Sequence, residues 1–519
     1  MNRRGVGGCG HGGGPAGRVS PSAVASAGSG TEEAVVPAVD GDGVDAAEAM
    51  AASPSPYPIR RNGLSRVQRA LSVNHLDRSI LRIALPALGA LALDPLVALA
   101  DTAFIGHLGA ASLGGVGVSN NVFNLSFTCF NFLGLATTPA IARAFGAGDE
   151  EGASKLVAQA LWVAAVVGIV AAIFLTIYAT PIVRFFGAND VVAPLAVAYL
   201  RARLISAPAF LGAMVANGAF RGFQDTKTPL AVGLLANMMN LTLYPLLIYG
   251  VGMGVAGAGL ATAAGQITAG SALFVLLLRK KRLRAEDLVQ RPRLREILPL
   301  LRTGAVLSVR TLSIFTTISF ATATAAKLGT VEVAAFEIGR QIFALFARLL
   351  DAISVAAQSL VALALGQRNF KRARLTAMRL LQVGVLMGCG FVALLSLGAA
   401  GAPTIFSRDP AVIAAVRRTF PVMALVQPIN GLVFVLDGIF TAGRKFGFLA
   451  GAIFFACVAS SSALLWVRTG GLSLQAVWLG LNLMMVLRAS FLMAGLFSRY
   501  TPVPERDPDA EPLEPAPAT

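Results

Sequence analysis

The sequence predicts an all-α polytopic membrane protein, with about twelve transmembrane helices in two six-helix lobes related by a parallel pseudo-two-fold repeat. Composition points there first. Of 519 residues, 55% are hydrophobic and 13% charged, where a soluble domain carries about 25% charged residues. Apolar segments of roughly 20 or more residues then recur, each long enough to cross a hydrocarbon core about 30 Å thick. Finally, the chain matches itself when shifted by 220 residues. LGAASLGGVGVSNNVF begins at Leu108 and LGTVEVAAFEIGRQIF at Leu328. Gly146 falls on Gly366, Phe186 on Phe406, Pro208 on Pro428, and NGAF from Asn217 on DGIF from Asp437. Apolar spans coincide by chance in Leu and Ala, but not in Pro and Gly at span ends. Six spans per half is an even number, so both halves enter from the same side and the pseudo-axis runs along the membrane normal.

Residues 1–78 form an extension rich in Gly, Ser and Ala, with Arg3, Arg4 and Arg18 and no acid before Glu32. It has no apolar core, so it does not read as a secretory signal. Its basic, acid-poor composition fits a plastid transit peptide, and a disordered cytosolic tail equally. Spans follow at about 80–105, 113–142, 156–179, 191–220, 228–250 and 256–278, an amino-terminal lobe over 79–278. A basic linker at 279–298 leads to a carboxy-terminal lobe over 299–498, with spans at about 303–326, 332–363, 377–400, 411–441, 447–467 and 473–497. The Pro- and acid-rich tail, 499–519, reads as disordered.

The formal charge of +16 could suggest nucleic acid, but its placement argues against that partner. Arg60, Arg61, Arg66, Arg69 and Arg78 precede the first span, and the basic run Arg279–Glu296 follows the sixth. Arg368, Lys371, Arg372 and Arg374 follow the eighth, and Arg444 and Lys445 the tenth. This is the positive-inside pattern, with both termini in the cytosol, or in the stroma of a plastid.

Enzyme chemistry finds no support. Cys9, Cys129, Cys389 and Cys457 are isolated, as are His11, His75 and His107, so neither a metal site nor a disulfide framework is legible. Gly252-Met-Gly254-Val-Ala-Gly257 fits a dinucleotide fingerprint, but no strand precedes it and an apolar span follows. Small residues that let helices approach explain it better. No cofactor is expected, only a coupling ion, and we expect a monomer.

Ionisable groups inside a membrane cost about 2.5–3.5 kcal/mol each on insertion scales and default to functional candidates. In LALDPLVALADTAFIGHLG, Asp94 and Asp101 are two turns apart and share a helix face. Pro95 removes a backbone hydrogen bond and favours a kink beside Asp94. Asp94 can serve the freed backbone groups or bind a proton; Asp101, nearer the helix end, can be a solvated interfacial acid or the coupling acid. The second half carries Glu337 and Asp351, with Arg340 and Arg348 at neutralising i,i+3 spacing. Arg310 is a further interior charge, an anion contact or a partner for Asp351. Asn120, Asn124 and Asn217 can bind ligand or join helices.

With these residues in view, the chain resembles the multidrug and toxic compound extrusion (MATE) family. Within it, the chain is similar to the DinF-like branch of plant DETOXIFICATION proteins and citrate exporters. The resemblance rests on DPLVALADTAFIGHLG (Asp94–Gly109), PAIARAFGAGD (Pro139–Asp149), RGFQDTKTP (Arg221–Pro229), GMGVAGAGLAT (Gly252–Thr262) and LLDAISVAAQSLVA with Asp351 and Gln358. It implies a two-lobed antiporter that exports organic solutes, whether xenobiotics, metabolites or organic acids, in exchange for H⁺ or Na⁺. It matches Asp101 to the first-helix acid of that branch and Asp351 to an eighth-helix acid. One departure stands out: family members often carry an acid in an N-x-x-x-D-P pattern in the fifth helix, where NLTLYP here places Tyr244. A citrate-type anion exporter and a lipid-linked precursor flippase are the alternatives. A chloroplast membrane is expected, with the plasma or vacuolar membrane as the other options.

Overall fold

The computed structural model describes residues 75–504 apart from 399, 400, 402, 405–408 and 499, without the side chains of 75, 92–96, 99, 103, 110 and 294. The Asp94 side chain, Phe406, the extension before His75 and most of the tail therefore lie outside the described residues.

Helices make up the described chain. The first half contains α1 (His75–Gly106), α2 (Ala110–Thr128), α3 (Phe132–Gly146), α4 (Glu150–Ile177), α5 (Ala179–Phe185), α6 (Val192–Leu204), α7 (Ala207–Gly222), α8 (Lys227–Pro245) and α9 (Gly254–Arg279). A short linker helix, α10 (Ala285–Val289), leads to α11 (Leu294–Leu328), α12 (Thr330–Gly366), α13 (Phe370–Gly398), α14 (Pro410–Leu425), α15 (Gln427–Ala442), α16 (Phe446–Gly470) and α17 (Leu474–Leu496). Among the described residues nine helices are long and apolar enough to cross a membrane, or eleven if each of two bent pairs is one span. The 32-residue α1 covers the remaining expected span, 80–105. Two expected spans are corrected in detail. The segment 191–220 is α6 and α7, bent by 53°, and 411–441 is α14 and α15, bent by 52°. Pro208 and Pro428 stand just past the breaks, where a missing N–H and a bulky ring favour ending one helix and starting another.

The repeat is visible as geometry. A Cβ on Gly168 would lie 2.6 Å from the Pro208 Cα, and one on Gly388 2.6 Å from the Pro428 Cα. A Cβ on Gly218 would lie 2.8 Å from the Gly134 carbonyl oxygen, and one on Gly438 2.6 Å from that of Ser354. Each pair is related by the 220-residue shift. Around these close approaches the amino-terminal lobe packs Phe123, Phe127, Leu133 and Leu200 into its core, and the other lobe Phe336, Phe346, Phe420 and Trp478.

The lobes meet where the basic connections lie. A Cβ on Gly146 would fall on the Leu363 carbonyl oxygen, and one on Gly366 on that of Arg143, so α3 and α12 cross backbone to backbone. This contact is its own image under the repeat. The RGFQDTKTP loop sits beside it. Gln224 Nε2 donates to the Ser359 carbonyl at 3.0 Å, and the Ser359 hydroxyl donates to the Arg221 carbonyl at 2.6 Å. Arg143 Nε donates to the Ala442 carbonyl at 3.2 Å. Arg379 on α13 grips Asp77 on α1 with Nε and an Nη, each at 2.6 Å from a different carboxylate oxygen. Asp225 in the same loop is partly buried, which opposes its charge, but Thr228 and Lys280 hydrogen bonds hold its carboxyl below the usual range. Its support for the start of α8 is therefore complete above about pH 4 and lost as pH falls further.

The linker is clipped to the amino-terminal lobe. Ser154 on α4 donates to Asp287 at 2.5 Å, Trp162 Nε1 to the Leu288 carbonyl at 3.0 Å, and Gln159 to Glu296 at 3.3 Å.

Overpacking a tight contact costs about 1–3 kcal/mol. We expect Gly366→Ala to shift the protein away from this closed arrangement. Spin labels at the exposed positions Lys281 and Lys371 should report a longer inter-lobe distance in the variant than in the parent. An unchanged distance distribution would show that the glycine contact does not set the closed state.

Candidate transport site

Two polar centres lie inside the membrane domain, one per lobe, and they differ. In the amino-terminal lobe Asp101 on α1 is partly buried, with Tyr244 and Asn240 of α8 facing its carboxyl and Arg203 of α6 within electrostatic reach. Its Oδ1 is buried and makes no hydrogen bond. Asn240 and Tyr244 are one turn apart, so α8 offers both to the same space. Tyr244 is fully buried, and its hydroxyl lies 3.3 Å from that of Thr262 on α9. The Tyr199 hydroxyl lies 3.5 Å from the same Thr262 and donates to Asn120 Oδ1 at 3.4 Å. Arg203 donates to that Asn120 oxygen at 2.5 Å and lies over the Phe123 ring, 3.7 Å from its centroid. The centre thus holds one incompletely bonded carboxylate among hydroxyl and amide groups, with one arginine. A proton or a small hard cation can satisfy such an oxygen.

In the carboxy-terminal lobe, Asp437 on α15 accepts from Arg310 on α11 at 2.9 Å and from Arg488 on α17, both on Oδ2. Asp437 Oδ1 and the Nε atoms of both arginines are buried without hydrogen bonds. Asp351 on α12 is half-buried, in electrostatic reach of Arg310, Arg348 and Asp437 and, across the lobes, Arg221.

Several sequence expectations are therefore redrawn. Arg310 bonds Asp437 at 2.9 Å and lies within electrostatic reach of Asp351. Glu337 and Arg340 neutralise one another in a half-exposed pair, as their i,i+3 spacing allows. Asn124, one turn from Asn120 on α2, is exposed, and Asn217 is half-buried on α7 at the position Asp437 occupies in α15. Gln358 is buried, with its amide 3.5 Å from the Ser354 hydroxyl, one residue from the closed inter-lobe contact. Arg203, Tyr199, Thr262, Asp437 and Arg488 are additions that the sequence reading missed as site residues. Arg203 and Arg488 carried a usable signal, since each is an arginine inside an apolar span.

Comparison with known proteins then decides the family. The MatE family model matches twice, at residues 86–246 and 306–463, and its two starts stand in the same 220-residue register as the repeat. The chain belongs to the MATE family. It is 35% identical over 438 residues to the Arabidopsis thaliana protein DETOXIFICATION 44, chloroplastic, covering 82% of each chain. It is 32% identical to DETOXIFICATION 45, chloroplastic, from the same plant, covering 82% of this chain and 78% of that one. The DNA damage-inducible protein F of Escherichia coli is 26% identical, with 80% of this chain and 91% of that one covered. Among solved structures, a MATE in the bent conformation superposes with a TM-score of 0.74 at 24% identity, over 82% of this chain and 94% of that chain. An outward-facing MATE multidrug resistance transporter superposes at 0.73 and 24%, over 83% and 98%. As a MATE protein the chain is a secondary transporter in the membrane, acting on small molecules.

Removing one partner of a buried charge pair costs about 3–5 kcal/mol because the other charge is left uncompensated. Asp437→Ala strands two arginines and should lower the thermal midpoint of the purified protein well below that of Asn124→Ala, at an exposed position. Equal midpoints would show that Asp437 carries no such load.

Proposed function

We propose that this MATE protein exports organic solutes by alternating access, in exchange for H⁺ or Na⁺ bound at Asp101. The supporting observation is the carboxylate itself: inside a membrane helix, with one oxygen unbonded and Tyr244, Asn240 and Arg203 around it. The repeat places Ala321 at the matching position of the second lobe, so the acid is not demanded by the fold. Tyr244 stands where the family often has a second acid, and a tyrosine hydroxyl stays neutral at working pH. Coupling in this lobe then falls to Asp101, with Tyr244 and Asn240 as neutral donors or ligands that set its geometry. Binding of the ion on one side must favour one lobe arrangement over the other, since equal affinity for both would drive nothing. No further cofactor enters this reading.

The relatives named chloroplastic support a chloroplast membrane for the transporter, with its basic connections facing the stroma. A fluorescent fusion of the full chain would show a plastid rim if so, and a plasma-membrane or vacuolar pattern if not.

Coupling is tested in proteoliposomes under an imposed pH or Na⁺ gradient. Asp101→Asn should lower gradient-driven export at least about tenfold while leaving solute binding in place, and Tyr244→Phe should lower it by about two- to fivefold. Wild-type rates in Asp101→Asn under both gradients would overturn the proposal.

A further inference from the structure

We propose that residues 500–504, beyond the last helix, are a detachable strap that helps to hold the lobes shut on the side of the basic connections. Pro502 lies against the turn between α15 and α16. A Cβ on Gly443 would fall 2.7 Å from the Pro502 Cα and 2.8 Å from its carbonyl oxygen. Val503 beside it is buried, and the Tyr500 ring stacks on Phe448 of α16 with centroids 5.2 Å apart. Phe448 in turn stacks on Phe440 of α15 at 5.3 Å. The strap therefore backs the turn and both helices that it joins.

The 220-residue shift pairs this segment with the start of the inter-lobe linker. Lys280 falls on Tyr500, Arg282 on Pro502 and Leu283 on Val503, while Phe223 falls on Gly443 and Thr228 on Phe448. The contacts fall in register too. Lys280 donates to Thr228 at 2.9 Å where Tyr500 meets Phe448, and Arg282 lies over the Phe223 ring, 5.1 Å from its centroid, where Pro502 meets Gly443. Leu283 is buried, as Val503 is. Each lobe thus lays the segment after its last helix against its own turn, α7 to α8 or α15 to α16. The fastenings differ. The linker is held by the ion pair of Lys280 with Asp225 at 2.9 Å and runs on into the bond between Ser154 and Asp287. The strap docks through Tyr500, Pro502 and Val503, a short apolar contact of the kind that opens locally at small cost.

What the strap backs is a bond between lobes. The residue before Gly443 is Ala442, whose carbonyl accepts from Arg143 Nε of the amino-terminal lobe at 3.2 Å. The residue after it, Arg444, has φ +57°, a left-handed conformation that a non-glycine residue keeps only where its surroundings hold it. With the strap seated, the turn presents the Ala442 carbonyl to α3. With the strap lifted, the turn loses the surface behind it and the closed arrangement loses an anchor.

Spin labels at Lys281 and Lys371 in the full chain, purified in detergent, test this. Val503→Asp and Gly443→Ala attack the contact from opposite sides. Gly443 has φ −72°, so an alanine there strains no backbone and acts through Pro502. Each variant should raise the share of the longer inter-lobe distance at least about threefold. Arg143→Leu, which removes the bond directly, should do the same. Adding Gly443→Ala to it should change the distribution no further, as expected of two changes that act through one contact. A segment that only caps its own lobe would lower the thermal midpoint and leave the distances alone. That result, or a Gly443→Ala shift that adds in full to that of Arg143→Leu, overturns the strap. If Val503→Asp does not fold, Gly443→Ala with and without Arg143→Leu decides alone. What the opening does rests on the alternating access proposed above, but the readout needs neither solute nor gradient. Longer distances without gradient-driven export would refute the antiport reading alone, and gradient-driven export with unchanged distances would refute the strap alone.

Discussion

The crossing of α3 and α12 is the constraint on which the rest hangs. Two helices from different lobes touch backbone to backbone only because Gly146 and Gly366 bring no side chain to the contact. The repeat relates each glycine to the other, and the carbonyl each one meets to its counterpart. A contact that is its own symmetry mate lies on the pseudo-axis, so neither lobe can shift there without the other. Gln224, Ser359, Arg143 and the Asp77–Arg379 pair are arranged around that point. They make the closed end specific, and the glycines make it possible.

Symmetry in the scaffold coexists with asymmetry in the chemistry. The glycine and proline contacts of the two lobes match residue for residue, while the polar centres share almost nothing. Asp101 faces Ala321 across the repeat, Asn120 faces Arg340, and Asn217 faces Asp437. One lobe offers a carboxylate among hydroxyl and amide groups with one arginine in reach; the other offers arginines around a carboxylate. A duplicated frame with two unlike interiors gives the lobes two kinds of site, which suits the proposed exchange of unlike partners.

How much of this was legible in the sequence follows from distance along the chain. Spans, lobes and repeat were readable because apolar length, Pro208 with Pro428 and Gly146 with Gly366 are local signals repeated once. The Glu337–Arg340 pair was readable because its partners are one turn apart. Asp437 escaped because its two arginines stand 127 and 51 residues away, and only packing of α11, α15 and α17 unites them. Arg310 was found, as an anion contact or a partner for Asp351, but its bond to Asp437 was not legible, for the same reason. Tyr244 stood out as a substitution within a motif, whereas its neighbours Tyr199 and Thr262 look like ordinary residues of small-residue helices until the fold gathers them.

The clipped linker has a mechanical consequence. Because Ser154, Gln159 and Trp162 hold the segment through Leu288 and again at Glu296, little of the connection between lobes is slack. Between α10 and α11 only residues 290–293 lie outside helices, and four residues reach at most about 14 Å when fully extended. The connection is a short leash rather than a loose tether. It restrains the lobes from separating at this edge in the proposed alternating access. The stroke of the transporter is thus limited at this edge by covalent length as well as by packing.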